Sequence, residues 1–223
     1  MGEAIGAVLP LALGVAVSPI PIIAAILMLL SPHARSTGLG FLGGWVGGIT
    51  VAVVLFTLVS TLIPAGDADE PKPVTGVITI VLGLGLLALA IRQWRSRPKP
   101  GETAALPTWM SAIDSMTPVR ALAIGFLLSA VNPKNLLMAV GAGVDIGASG
   151  LGAGGATVVI VIFVLLASAS VAVPVVGYLA ASDRMRSPLE SMRAWLGQNN
   201  AAVMTVLLTV IGVVMIGKGI GRF

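Results

Sequence analysis

Residues 11–30, LALGVAVSPIPIIAAILMLL, and residues 125–144, GFLLSAVNPKNLLMAVGAGV, decide how this chain folds. Laid over one another without a gap, they align Val17-Ser18-Pro19-Ile20-Pro21 with Val131-Asn132-Pro133-Lys134-Asn135. Each is an apolar run long enough to cross a bilayer, which takes about 20 residues of helix. Each carries a polar residue and a proline deep inside that run. Proline removes a backbone donor and clashes with the carbonyl four residues back, so both helices are expected to break or kink there. The freed backbone groups need partners, which in lipid means other helices, Ser or Asn side chains, or water in a cavity. Ser18, Asn132 and Asn135 can supply such side chains.

The rest of the chain reads the same way. Charge-free runs cover residues 4–30, 36–64, 74–91, 121–144 (with Lys134 inside), 146–182 and 201–217. The fifth opens on a Gly-rich stretch, residues 147–155, read as a loop with the helix starting near Ala156. Hydrophobic residues make up 57% of the chain and charged ones 10%. The mean hydropathy is +1.03. Soluble domains carry roughly 25% charged residues, so a water-soluble fold is excluded. Long runs without period-2 alternation can satisfy their backbone in lipid only as helices. The fold class is therefore an all-α integral membrane protein of six transmembrane helices.

Each polar-Pro span is followed by two further spans, so the chain divides as three plus three: residues 1–92, a cytoplasmic linker at 93–118, and residues 119–223. Because three is odd, the second copy enters from the opposite side. That is an inverted-topology repeat, a layout used by many secondary transporters. A cleaved signal peptide is not expected, since Glu3 is the only side-chain charge ahead of a first run longer than an h-region.

With the N-terminus outside, inside segments carry Arg35, then Arg92, Arg95, Arg97, Lys99 and Arg120, then Arg184, Arg186 and Arg193. Outside segments carry only Lys72, Lys218 and Arg222, beside the acidic Asp67, Asp69 and Glu70. Both termini are then extracytoplasmic on a multi-pass protein of the cell membrane. The pI of 10.1 reflects cytoplasmic anchoring charge and calls for no nucleic-acid partner.

The chain has no cysteine, which removes thiol relays, disulfides and thiolate metal sites. His33, the only histidine, falls in a short loop and reads as solvated. No nucleotide-binding motif, cofactor motif or catalytic constellation is present, so the expectation is a non-enzyme without cofactors. Lys134 is the informative charge: a cation in mid-span must face the bundle interior or an aqueous cavity. There it suits an anionic ligand such as a carboxylate or phosphate. Its structural alternative is to bind helix carbonyls as a plug.

Gly40, Gly44 and Gly48, with Gly43 and Gly47 beside them, form small-xxx-small rows read as helix-packing surfaces. Trp94, Trp109 and Trp195 flank spans as interfacial anchors, and Trp45 reads as core filler or a cavity wall. Two short amphipathic helices are expected on the inner interface. One shows Trp109, Ile113 and Met116 on one face, away from Ser111, Asp114 and Ser115. The other shows Leu189, Met192 and Leu196, opposite Glu190 and Arg193. Residues 95–105 read as a flexible linker.

Ser18-Pro19-Ile20-Pro21 through Leu27-Met28-Leu29, then Arg35, Gly38 and Phe41-Leu42-Gly43-Gly44-Trp45, resemble the GAP (Sap) proteins of actinobacteria. Trp109 with Ile113-Asp114, and Asn132-Pro133-Lys134-Asn135-Leu136, are similar to the same family. The resemblance covers nearly the whole chain. It implies the LysE superfamily of small exporters, with their three-plus-three inverted repeat, and delivery of glycolipids or peptidoglycolipids to the envelope. Together these readings give a transporter exporting an envelope lipid or its anionic precursor. Its substrate would be bound by Ser18, Pro19, Ile20, Pro21, Asn132, Pro133, Lys134 and Asn135, with Trp45 as a wall. The expected partners are membrane lipids, an anionic cargo, and envelope lipid export machinery or a second copy. Export of a small metabolite, and an accessory role without a translocation path, are the alternatives.

Overall fold

The computed structural model describes residues 1–62, 73–97, 113 and 115–223. The acidic loop with Lys72, linker residues 98–105, Trp109, Ser111 and Asp114 lie outside the described residues. The described residues form eight helices: α1 (Gly2–Ala16), α2 (Pro19–Leu29), α3 (Ala34–Ser60), α4 (Pro73–Arg95), α5 (Pro118–Ala130), α6 (Pro133–Gly147), α7 (Ala153–Ala180) and α8 (Ser182–Ile220). None of the described residues is in a strand. α3, α4, α7 and α8 are each long and apolar enough to cross a membrane. The pairs α1/α2 and α5/α6 each qualify as one span broken by a bend, of 54° and 61° respectively.

The breaks fall at the two polar-Pro sites, and the backbone shows why. A residue preceding proline is pushed out of the helical region. Ser18 sits at φ −122°, ψ 95° and Asn132 at φ −61°, ψ 122°, both extended. Pro19 and Pro133 then open α2 and α6 at the first helical position, where a missing N–H costs nothing. Pro10, Pro174 and Pro188 are carried inside continuous helices.

Close backbone approaches fix the helix directions. A Cβ built on Gly40, Gly44 or Gly48 of α3 would meet the carbonyls of Pro118, Leu122 and Phe126 in turn at 2.8 Å or less, so α3 runs parallel to α5. Further along, Ser60 Oγ donates to the Gly143 carbonyl at 3.0 Å, so α3 continues parallel to α6. Gly43 and Gly47 meet nothing within 4 Å, so only one of the two predicted glycine rows packs. Gly76 abuts the Gly219 carbonyl and Gly83 the Gly212 carbonyl, and each contact is reciprocated, making α4 and α8 antiparallel. Lys218 near the end of α8 donates to the Ala7 carbonyl at 2.8 Å, so both chain ends share one end of the bundle.

The outward surface is apolar. Leu13, Leu58, Val81, Leu165, Val173 and Val206 are each more than half exposed, the surface of a protein solvated by lipid. Two expectations are corrected. The second amphipathic stretch is no separate interfacial helix: it is the first part of α8, and Leu189 and Leu196 join the buried core. α7 begins at Ala153, slightly earlier than the Gly-rich run suggested. Trp94 and Trp195 are exposed as expected, and Arg97 covers the Trp94 ring at 3.8 Å.

Candidate functional site

A helix that ends inside an apolar bundle leaves its last carbonyls without intrahelical partners, so side chains or cavity water must meet them. At the end of α1 they are met one by one. Ser18 Oγ donates to the Val15 carbonyl at 2.7 Å, and Ser170 Oγ of α7 to the Ala16 carbonyl at 2.5 Å. The Lys134 ammonium, from the other half of the chain, donates to the Gly14 carbonyl at 2.6 Å and the Val17 carbonyl at 3.4 Å. It also donates to Ser18 Oγ in a close contact. An ammonium has three donors, and all three are engaged. Its charge also complements the negative end of the α1 dipole. Lys134 is 5% exposed.

The second break is completed mostly within its own half. Asn132 Oδ1 accepts from the Lys134 N–H at 3.1 Å and caps α6, while Asn135 Nδ2 donates to the Leu128 carbonyl at 3.1 Å and closes α5. Asn135 Oδ1 is buried with no hydrogen-bond partner among the described residues.

The two breaks frame a single cavity of about 360 Å³. Ser18, Pro19, Ile20 and Pro21 form one side and Asn132, Pro133 and Lys134 the other. Leu89, Arg92, Gln93 and Ser96 of α4, with Asn200, Met204 and Leu208 of α8, complete it. Arg92 and Ser96 are exposed and mark the mouth, while buried Ser18 and Lys134 mark the floor. The lining carries two cations, Arg92 and Lys134, and no carboxylate among the described residues. Such a site can receive an anionic group through the Arg92 guanidinium, the Gln93 and Asn200 amides and the Ser96 hydroxyl, with the Lys134 charge at the floor and apolar walls beside them.

Seven of the nine residues singled out in the sequence line this cavity: Ser18, Pro19, Ile20, Pro21, Asn132, Pro133 and Lys134. Asn135 lies behind it, buried and turned to Leu128. Trp45 is corrected to core: it is fully buried, stacked on Phe41 with ring centroids 6.4 Å apart, and absent from the lining. The sequence reading missed Arg92, Gln93, Ser96 and Asn200. All four sit at span ends, where polar residues read as interfacial, and only the antiparallel packing of α4 on α8 sets them around one cavity.

A family model described as Sap, sulfolipid-1-addressing protein, matches residues 8–221, which include both breaks and every residue of the cavity. The chain belongs to the Sap, sulfolipid-1-addressing protein, family. Neither curated proteins nor solved structures provide a match. In this Sap-family chain the part of the site most open to a simple test is the α6 cap. Asn132→Ala should cost about 1 kcal/mol, the usual worth of an N-cap, while Asn132→Ser should recover most of it. Thermal denaturation in detergent reads both, and equal midpoints for Ala and wild type would show the cap to be idle.

Proposed function

We propose that this protein is a transporter that takes the anionic headgroup of an envelope lipid into the cavity between the two broken spans and carries it across the cell membrane. The observation that carries this reading is the convergence of both breaks on one cavity whose charged lining groups, among the described residues, are the cations Arg92 and Lys134. The family description, which names a sulfated lipid, supports the same chemistry. At about 360 Å³ the cavity has room for a headgroup rather than a whole lipid. A second, wholly apolar groove of about 600 Å³ lies on the membrane-facing side of α1 and α8, lined by Pro10, Leu13, Val203, Val206, Leu207 and Ile211 among others. Met204 and Leu208 of the same α8 stretch face the cavity. Headgroup inside and chains alongside in lipid is the arrangement an amphiphile requires, which favours lipid over a small metabolite.

The inverted repeat supports alternating access. α4 and α8, the third spans of the two halves, pack antiparallel, and the breaks of the two bent spans line the same cavity. Placing Arg35, Arg92, Arg95, Arg120, Arg184 and Arg186 in the cytoplasm opens the cavity mouth to that side. The protein then acts as a carrier without chemistry of its own, alone, as a pair of copies, or with envelope export machinery.

Reconstitution into liposomes tests this. Headgroup-labelled lipids bearing a sulfate or phosphate should change leaflet faster than matched zwitterionic ones when the protein is present. Transport of neither lipid nor small anions under any imposed gradient would replace the carrier with an accessory role.

A further inference from the structure

Asp145 is a carboxylate buried inside α6, with a side chain 5% exposed. In the sequence it stands alone between two apolar runs. Its Oδ1 accepts from Arg222 Nη2 at 2.5 Å, and its Oδ2 lies 3.5 Å from Lys218 Nζ. Both cations reach further. Lys218 donates to the Ala7 carbonyl of α1 at 2.8 Å, and Arg222 Nη1 donates to Thr79 Oγ1 of α4 at 2.9 Å. One carboxylate thus ties α1, α4 and α6 to the end of α8.

This cluster lies opposite the cavity mouth. Along α4, Thr79 and Arg92 are separated by about 20 Å, and along α6 Lys134 and Asp145 by about 16 Å, at about 1.5 Å per residue. Between the cavity floor and the cluster the bundle is filled by Leu11, Met138, Ile211 and Met215, each buried. They close on two glycines: a Cβ on Gly14 would meet Ile211 and Met138 at 2.5 Å, and one on Gly141 would meet Met215 at 2.8 Å. The cavity is therefore blind at this end, stopped by an apolar plug with an ion-paired cluster behind it. An ion pair with a buried carboxylate and half-buried cations contributes little to stability alone, because desolvating the carboxylate offsets the attraction. Its strength does change steeply between a dry and a wetted state, which suits a contact that must be both firm and breakable.

We propose that Asp145, Lys218 and Arg222 form a latch that keeps the pathway shut at this end and must break for the cavity to open there. The proposal rests on the transport reading, but its test does not require transport. The chain has no cysteine, so a single Met138→Cys substitution in the plug reports alone. With the latch intact, a membrane-impermeant thiol reagent added from the side of the chain ends should label it slowly. Adding Asp145→Asn should raise that rate about tenfold or more, and D145R with R222D should bring it back by restoring a pair. If D145N protein fails to reach the membrane, Arg222→Gln carries the test, since it leaves Asp145 paired with Lys218. An unchanged rate, or an equal rise from both sides, overturns the latch. Labelling that responds in a protein moving no lipid upholds the latch as a closure and counts against the carrier, and lipid movement with unresponsive labelling does the reverse.

Discussion

Gly44→Ala should sharply lower the thermal midpoint and the membrane abundance of the protein, whereas Gly43→Ala, one residue away, should leave both at wild-type levels. A Cβ on Gly44 would stand 1.9 Å from the Leu122 carbonyl oxygen and 2.9 Å from the Phe126 nitrogen. Both obstacles are backbone, so no side chain can swing aside and the two helices must part. The partner helix is equally committed: a Cβ on Gly125 would meet the Phe41 carbonyl at 2.3 Å. Overpacking a close-packed interior costs about 1–3 kcal/mol, and a wedge between two backbones belongs at or above the top of that range. That is a large share of a stability of about 5–15 kcal/mol. Gly43 meets nothing within 4 Å, and alanine there gains helix propensity. Equal midpoints for the two variants would show that α3 and α5 do not meet at this row.

Lys134→Met should reduce lipid export by one to two orders of magnitude at matched abundance, and should also cost some folded protein. In the sequence a cation in mid-span suited an anionic cargo, with binding of helix carbonyls as the structural alternative. The structure realises that alternative, because the ammonium satisfies the Gly14 and Val17 carbonyls and Ser18 Oγ. Hydrogen bonds to a charged group are worth about 1.5–3 kcal/mol, and carbonyls orphaned in a dry interior add to the loss. Each 1.4 kcal/mol is about tenfold in an equilibrium or rate, which sets the expected range. Lys134→Arg should rescue poorly, since a planar fork does not reach three convergent oxygens as a compact ammonium does. Export at wild-type level from Lys134→Met, normalised to folded protein, would leave Lys134 as a purely structural cap.

What the sequence disclosed and what it hid follow from how each signal is encoded. The two breaks were legible because proline acts locally, on its own N–H and on the residue before it. Even so, Pro10, Pro174 and Pro188 sit in unbroken helices. Position in mid-run and the match between the two halves carried the argument, not proline alone. Gly40, Gly44 and Gly48 were legible as a packing row, but their spacing could not separate them from Gly43 and Gly47, because nothing local says which face meets α5. The heptad-spaced pairs Gly76/Gly83 and Gly212/Gly219 were overlooked, although that spacing was their signal. Trp45 was ambiguous because an aromatic at that depth fills a core or lines a cavity equally well. Arg92, Gln93 and Asn200 could not be assigned, since their place in the cavity depends on α4 packing on α8, two helices far apart in sequence. The partners of Asp145 were hidden for a similar reason, since Lys218 and Arg222 lie far from it in sequence and only the packing of α8 on α4 and α6 brings them to it.

The central claim is that the cavity between the breaks receives the anionic headgroup of a lipid. It is tested most directly by placing a photoreactive amino acid at Gln93, on the cavity wall, illuminating membranes, and identifying the captured molecule by mass spectrometry. The account predicts capture of lipids with sulfate, phosphate or carboxylate headgroups, strongly reduced when Lys134→Met is added. Capture of zwitterionic and anionic lipids in proportion to their abundance, or of none, would contradict it.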